Sequence, residues 1–333
     1  MYTFRSYPIK LTLGWTAKFI LVFALISAIP VFLHIIFEVD RIIIPWLPIA
    51  LIGTALAFYL GFKTNASYDR LWEARKIWGG VVNESRSFAV MVSTYITGKP
   101  EAEIKEIKRQ LVVRHIAWLT ALRFQLRERR SWEHNNLRDD EAYRKGMKIE
   151  EFDKELLECI KPYVTDADLK DIWDKKNRAT QLLHLQMQDL ASASEKGFLD
   201  TFRQMEIGNV IRGLFDNQGK AERIKNFPFP RQYASLNFYY VWIFIILLPF
   251  GMIGEFIKLG EHFVWLNIPF CVLVSWVFYT MEMIGDYSEN PFEGSFNDIP
   301  VTALSRTIEI DLLEIIGETE IPTAKTPSNG VLF

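Results

Sequence analysis

The stretch from residue 42 to residue 86 most restricts how this chain folds, because an uncharged run passes directly into a polar one. Residues 42–62 carry no charged side chain, and a helix of this length crosses the apolar core of a bilayer. From Lys63 onward, polar, charged and aromatic side chains follow with no Gly- or Pro-rich break at the junction. We therefore predict one long helix that lines a feature of the membrane and continues into water.

Three further runs meet the same length criterion, which is roughly 20 apolar residues. They occupy residues 19–37, 232–254 and 262–281. Only the short links 38–41 and 255–261 separate the first run from the second and the third from the fourth. We therefore predict an all-α membrane protein with four transmembrane helices per subunit, arranged as two hairpins.

The block between the hairpins, residues 64–231, holds most of the lysines and arginines. Basic residues close to the ends of membrane spans favour the cytoplasmic side. Those that support this orientation are Arg5, Lys10, Lys18, Lys63, Arg70, Lys225 and Arg231. Because the number of spans is even, we expect both termini on the cytoplasmic side of the cell (inner) membrane.

The local patterns also predict segment boundaries. The predicted segments are residues 1–63 with transmembrane helices 1 and 2, 64–231 as a helical cytoplasmic domain, 232–284 with transmembrane helices 3 and 4, and 285–333 as a cytoplasmic C-terminal segment with a mobile tail. Outside the spans, the predicted helices are 64–95, 101–130, 149–160, 165–190, 198–214 and 301–316, with an exposed turn over 131–147. The tail is rich in Pro, Thr, Ser and Gly, so we expect it to be mobile or to lie on a neighbouring chain.

Composition excludes several classes of function. A net charge of −2 gives no basic stripe for nucleic acid. The two cysteines, Cys159 and Cys271, lie in a charged segment and an apolar run, so we expect neither a disulfide nor a cysteine metal site. No phosphate-binding loop or nucleophile motif is present, so we expect no enzyme and no cofactor.

Two sets of residues recur every four positions in the second span. The small set is Gly53, Ala57 and Gly61, and the set one position further on is Thr54, Phe58 and Phe62. Small residues at this spacing let helices approach closely in lipid, so copies of the helix could pack around an axis with the second set pointing inward. The alternative is that the two Phe rings face lipid.

The polar continuation of this helix carries a dense set of side chains suited to an interface between subunits. The set is Asn65, Asp69, Arg70, Trp72, Glu73, Arg75 and Trp78. Charges three and four residues apart pair along a helix, so the simpler interpretation is a solvated face with two packed tryptophans. The presence of tryptophan in so polar a stretch favours an inter-subunit frame.

The run from Leu60 to Arg86, LGFKTNASYDRLWEARKIWGGVVNESR, resembles the bestrophin family, specifically its bacterial members. A second match is NPFEGSFNDIP, residues 290–300, which is similar to the segment that follows the last span in that family. The third span, entered through FPFP, agrees more weakly. The resemblance covers roughly residues 5–305 and includes the order of spans and cytoplasmic block.

The resemblance implies a homopentameric ion channel with one central pore on the symmetry axis. In that family the second span lines a narrow neck with three bulky apolar residues spaced by four, which correspond here to Thr54, Phe58 and Phe62. Thr54 departs from the pattern, since the family usually has a larger aliphatic residue there. The resemblance also implies a second, cytoplasmic aperture near residues 177–187, with Leu183 or Ala179 as its lining.

Animal members of the family bind calcium with a run of acids after the NPF motif. Here that run is reduced to Glu293, Asn297 and Asp298. Calcium takes six to eight oxygen ligands, so we expect no calcium clasp of the animal type. Asn290 and Asp298 are only weak metal candidates, and a capped turn that locks the end of the fourth span to a neighbour is the favoured interpretation.

Whether the channel selects anions or cations depends on whether the edges or the faces of the Phe rings point to the pore axis. The edge of a Phe ring is electropositive and its face electronegative, so inward edges favour anions. With a hydroxyl donor at Thr54, we expect small anions such as chloride, gated at the hydrophobic neck. The alternatives are a sodium or potassium channel of the same architecture and a non-conducting scaffold or receptor whose helical domain binds a cytosolic protein partner. In each case the lipid bilayer is the surrounding partner.

Overall fold

The structure is a computed structural model that describes residues 1–38, 41, 43–134 and 149–333. Within these residues the chain is helical, and its only β pairing is two isolated bridges, Tyr2 with Val331 and Ser328 with Val331. The predicted all-α class is therefore confirmed. The chain divides into two compact units. We call residues 4–69 and 229–289 the apolar unit, and residues 1–3, 70–228 and 290–333 the charged unit.

Helix α2 spans Trp46–Tyr95 without interruption, so the predicted passage from an uncharged run into a polar helix is confirmed. The helix has 50 residues, which corresponds to a length of about 75 Å at 1.5 Å per residue. Pro48 lies in its first turn, where the missing N–H is not needed for an intrahelical hydrogen bond. Ile42, the first residue of the predicted run, lies outside the described residues.

Helix α2 carries a buried stripe in each of the two units. In the apolar unit its members are Ile49, Gly53, Leu56, Leu60, Lys63 and Ser67, and in the charged unit they are Ala74, Ile77, Val81, Ser85, Phe88 and Val92. The spacing of three and four residues is that of one helix face. Phe58 and Phe62 are exposed and lie off this stripe. In each unit, α2 therefore keeps one side buried against its own protomer.

The apolar unit consists of α1 (Ile9–Phe37), the first half of α2, α9 (Arg231–Leu259) and α10 (Asn267–Asp286). Helices α1, α9 and α10 pack against one another. Gly260, at a φ of 120°, and the 3₁₀ turn Glu261–Leu266 join α9 to α10; this short link begins at residue 260 rather than at the predicted residue 255, because α9 continues to Leu259. The described residues include four helices long and apolar enough to cross a membrane.

The charged unit is built around the central helix α3. Its helices are α3 (Glu101–Arg127), α4 (Glu150–Asp153), α5 (Leu156–Ile160), α6 (Asp166–Trp173), α7 (Arg178–Glu195), α8 (Thr201–Asn226) and α11 (Val301–Ile315), together with the second half of α2. Helix α3 packs against α7, α8 and α11. Nearly every residue of α3 from Leu111 to Leu122 is buried, so this part of the helix lies in the core of the unit.

Three predicted helices of the charged unit differ most clearly from the structure. The helix expected over residues 165–190 is two helices, since Asn177 accepts a hydrogen bond from the Thr180 N–H and begins α7 anew. The helix expected over 198–214 begins after the Asp200 cap and continues to Asn226. It ends there because Pro228 disfavours a helical conformation of Phe227, the residue before it. Residues 149–160 form two short helices rather than one. Most of the predicted turn over 131–147 lies outside the described residues.

The end of the C-terminal tail packs on its own chain, whereas we expected the tail to be mobile or to lie on a neighbouring chain. The Leu332 N–H donates to the Met1 carbonyl at 2.9 Å, and the Ala303 N–H donates to the Phe333 carbonyl at 2.7 Å. Phe333 is buried in a small apolar cluster with Ile149. These terminal apolar side chains, at the end of a polar segment, give the tail a fixed docking point.

Candidate functional site

The ladder residues Thr54, Phe58 and Phe62 all lie on the exposed side of α2 in the apolar unit. Phe58 is 67% exposed and Phe62 is 68% exposed, which are large fractions for aromatic side chains. Leu60, between them in sequence, is fully buried. The three ladder side chains are therefore largely uncovered by the described part of the protomer, as a pore lining or a lipid-facing surface requires.

The Thr54 hydroxyl is already used inside its own helix. It donates a hydrogen bond to the Ala50 carbonyl at 2.9 Å. A hydroxyl has only one proton to donate, so Thr54 does not offer the free donor that the sequence interpretation gave it. It presents a methyl group and oxygen lone pairs instead.

The small-residue set divides into one packed and two uncovered positions. A Cβ added at Gly53 would lie 2.8 Å from Cε2 of Phe244, so α9 of the same protomer occupies that side of the glycine. Ala57 is exposed. A Cβ at Gly61 would meet no atom within 4 Å among the described residues. Gly53 thus serves packing within the protomer, whereas the surface at Ala57 and Gly61 remains uncovered.

An apolar hollow of about 730 Å³ adjoins the ladder. Its lining comes from three helices of the apolar unit and consists of Trp46, Ala50, Gly53, Thr54, Ala57, Phe58, Phe244, Leu248, Met252, Val274 and Phe278. The absence of charge from this lining suits a lipid tail or an apolar helix face. Thr54 and Phe58 therefore belong both to the ladder and to the edge of this hollow.

The charged side chains at the end of α10 are paired within the apolar unit. Lys63 of α2 forms ion pairs with Glu282 and with Asp286, the latter at 3.4 Å. Arg231 forms an ion pair with Glu289 at 2.8 Å. These acids are therefore counterbalanced by neighbouring cations, which reduces the negative potential that they would create alone.

Two of the predicted frame residues hold the end of α8 in the charged unit. Arg70 donates to the Ile224 carbonyl at 2.6 Å and to the Phe227 carbonyl at 2.5 Å. These are carbonyls at the helix C-terminus, where a cation is favoured by the helix dipole. Glu73 pairs with Arg223 at 3.0 Å. Both residues therefore have partners within the chain.

The two tryptophans of the predicted frame have different environments. Trp78 is fully buried in the core of the charged unit, so its own chain covers it and no neighbour is needed. For Trp78 the inter-subunit interpretation was wrong. Trp72 is half-exposed. The remaining frame residues, all exposed, are Asn65, Asp69 and Arg75.

The two residues proposed for the cytoplasmic aperture are buried and do not line an opening. Ala179 and Leu183 belong to the face of α7 that packs into the core of the charged unit. A side chain enclosed by its own protomer cannot line a pore between protomers, so this prediction was wrong. The exposed side chains within the predicted aperture range include His184 and Met187.

The NPF segment is held to the end of α3 by an ion pair. Asp298 accepts a hydrogen bond from Arg127 at 3.0 Å, and it also accepts from the Gly294 N–H and the Ser295 hydroxyl. Glu293 pairs with His134 at 3.3 Å, and burial raises the pKa of this glutamate. In the described part of the chain no three His, Cys, Asp or Glu side chains are arranged for a metal. The weak metal candidate Asp298 is thus occupied by a guanidinium, while the other, Asn290, is buried.

Comparison with known proteins identifies the family. The sequence profile described as "Bacterial/Fungal Bestrophin protein" matches residues 12–314. A voltage-dependent anion channel-forming protein of Ralstonia nicotianae is 30% identical over 277 residues, which cover 82% of this chain and 78% of that protein. A protein of the same description from Escherichia coli is 28% identical over 281 residues, covering 84% of this chain and 80% of that protein.

Solved structures agree in fold. The crystal structure of a bacterial bestrophin homolog from Klebsiella pneumoniae superimposes with a TM-score of 0.76 and 23% sequence identity, covering 90% of this chain and 98% of that one. At this identity the likeness concerns the fold alone. The profile match extends over most of the sequence and includes both motifs on which the resemblance rested. The chain therefore belongs to the bacterial and fungal bestrophin family.

Proposed function

We propose that this protein is a subunit of an ion channel that conducts small monovalent anions such as chloride. Five copies surround a central pore, and α2 of each copy lines it. The observation that carries the proposal is the outward orientation of Phe58 and Phe62 on the uncovered side of α2. The names of the curated relatives, which are described as anion channel-forming proteins, support the same function.

The gate in this proposal is the ladder itself. Five copies of Phe58 and of Phe62 around an axis make two consecutive apolar rings. A narrow apolar constriction excludes water and stops conduction until it widens or wets. Thr54, whose hydroxyl is bonded to its own helix, adds a third and less bulky ring.

Two features favour anions over cations. The positive edges of the Phe rings stabilise an anion when they point to the axis. Lys63 pairs with both acids at the end of α10, Glu282 and Asp286, and so offsets part of the negative charge that would attract cations. The second candidate is a sodium or potassium channel of the same architecture, in which the faces of the rings would point inward.

The channel acts in the bilayer of the cell (inner) membrane with both termini cytoplasmic. Its function needs permeant ions but no cofactor. Asp298 needs no metal ion as its counter-charge, because Arg127 supplies the positive charge beside it. Asn65, Asp69, Trp72 and Arg75 are exposed on α2 and remain the proposed contacts to the neighbouring subunit.

The experiment is ion flux from liposomes that contain the purified protein, with separate chloride and sodium gradients. We expect chloride flux that Phe58→Ala and Phe62→Ala increase, because a wider neck wets more readily. The matched control is Phe37→Ala at the end of α1, where the ring is 66% exposed but lies off α2. Native mass spectrometry checks for five copies. Complete absence of flux, together with a stably bound cytosolic protein, would favour the scaffold alternative.

A further inference from the structure

We propose that Lys63 is a positioning residue for the neck: its ion pairs to α10 fix the rotation of α2, so that Phe62 faces out of the bundle. The proposal deepens the proposed function and rests on it for its consequence in conduction. Lys63 directly follows Phe62 in sequence. Successive residues of an α-helix are separated by about 100° around its axis, so anchoring one side chain sets the direction of the next.

Lys63 and Phe62 differ strongly in solvent exposure. Lys63 is 1% exposed, although lysine is almost never fully buried unless it is paired. Phe62 is 68% exposed, although it is apolar. The usual order of charged outside and apolar inside is therefore inverted at this level of α2. A rotation of α2 by about 100° would bring Phe62 to the direction that Lys63 now occupies and would move Lys63 away from its partners.

The anchor on α10 is built from two acids one turn apart. Glu282 and Asp286 are separated by four residues, so both lie on one face of their helix. Both pair with Lys63. Gly285 lies between them, and a Cβ there would stand 3.4 Å from Cγ of Lys63 and 3.5 Å from the Thr64 hydroxyl. The lysine stem therefore lies directly against α10 at this glycine.

Apolar packing alone specifies this rotation poorly. Lipid tails are as apolar as a leucine side chain, so little free energy separates a Phe ring in the bundle from one outside it. An ion pair is different, because a buried carboxylate without its partner is strongly disfavoured. The second oxygen of Glu282, Oε2, is buried and has no hydrogen-bond partner among the described residues, so Lys63 is the main compensation of its charge.

A matched control exists at the same end of the apolar unit. Arg231 and Glu289 form an ion pair at 2.8 Å that joins the start of α9 to the residues after α10 and does not involve α2. Removing this pair changes the local charge in the same way. It leaves the contact between α2 and α10 in place.

The direct test measures the environment of position 62 and does not depend on conduction. A nitroxide is attached to Phe62→Cys in a background in which Cys159→Ser and Cys271→Ala remove the native thiols. Its collision rates with oxygen and with a nickel chelate report exposure to lipid and to water. In Lys63→Met/Glu282→Gln, position 62 should turn into the bundle. We therefore expect whichever of the two collision rates is larger in the anchored protein to fall at least threefold. We expect no change in Arg231→Gln/Glu289→Gln or in Lys63→Arg, which keeps the charge.

The second arm measures chloride and sodium flux with Phe62 retained. We expect the chloride-to-sodium permeability ratio or the flux to change at least threefold in Lys63→Met/Glu282→Gln. The exchanged pair Lys63→Glu/Glu282→Lys should return both toward the original values, and it carries the test if the neutral variant does not fold. The proposal is overturned if the collision rates of the nitroxide at position 62 do not change. It is also overturned if these rates change while the flux and the permeability ratio do not. A protein without any flux refutes the proposed function instead, and the nitroxide rates still decide whether Lys63 sets the rotation.

Discussion

Arg127 donates a hydrogen bond to Asp298 at 3.0 Å, and both side chains are buried in the charged unit. Arg127 also donates to the Ile299 carbonyl at 3.2 Å. Asp298 accepts two more hydrogen bonds from its own turn, from the Gly294 N–H and the Ser295 hydroxyl. This ion pair therefore joins the last residue of α3 to the segment that precedes α11.

We predict that Arg127→Met destabilises the protein by about 3–5 kcal/mol, because it leaves the Asp298 carboxylate buried without a counter-charge. Thermal and denaturant unfolding of the purified protein measure this change. The control is Arg86→Met, since Arg86 pairs with Asp311 at 2.7 Å where both groups are partly exposed. That substitution should cost less than about 1 kcal/mol. Equal losses in the two variants would contradict the assignment of Arg127 as a core anchor.

A second prediction concerns acid stability. Burial lowers the pKa of His115 from its ordinary 6.5 to about 3. The Gln186 amide lies 3.4 Å from Nδ1 and Ser85 Oγ lies 2.9 Å from Nε2, which suits the neutral ring. Between these two pH values the unfolded chain binds a proton that the folded chain does not. The contribution of the neutral His115 to the unfolding free energy is therefore fully present above pH 6.5 and is lost as the pH decreases toward 3.

The full shift corresponds to at most about 5 kcal/mol at 1.36 kcal/mol per pKa unit. We predict that His115→Gln flattens the dependence of the unfolding free energy on pH in this window, whereas His184→Gln, at an exposed position on α7, does not. The difference between each variant and the original protein removes the contribution of the carboxylates, which titrate in all three. An identical slope for the His115 variant and the original protein would show that this ring is not the group responsible.

A third prediction separates packing within the protomer from packing between copies. Gly53→Ala places a Cβ 2.8 Å from the Phe244 ring, so we expect a loss of about 1–3 kcal/mol from overpacking. Gly61→Ala meets no described atom and should leave the protomer stable, since Ala is the better helix former. Thermal unfolding in detergent gives the first quantity. The fraction of pentamer in native mass spectra shows whether Gly61→Ala disturbs assembly; a destabilised Gly61→Ala protomer would argue against the division.

Properties set by local sequence could be predicted. The uncharged runs, the continuity of α2 and the helix at residues 301–315 depend on charge, run length and period, which a single chain displays directly. Contacts between distant segments could not. Lys63 looked like the first charge beyond a span, and only α10 reveals that its partners are Glu282 and Asp286. Leu183 looked available as a lining, but the core that covers it comes from α3. The new start of α7 at Asn177 was missed because one side-chain cap outweighed a continuous helical pattern.

The last prediction tests which ladder groups select the ion. The Thr54 hydroxyl donates its proton to the Ala50 carbonyl, so it cannot donate a hydrogen bond to a permeating ion. Thr54→Val removes this hydroxyl and preserves the shape of the side chain. We therefore predict an unchanged chloride-to-sodium permeability ratio for Thr54→Val and a shift of severalfold for Phe58→Ala, which removes the ring edges. Reversal potentials in planar bilayers give both ratios. A large shift for Thr54→Val with none for Phe58→Ala would assign selection to the hydroxyl, and it would require that group to leave its backbone partner when the channel opens.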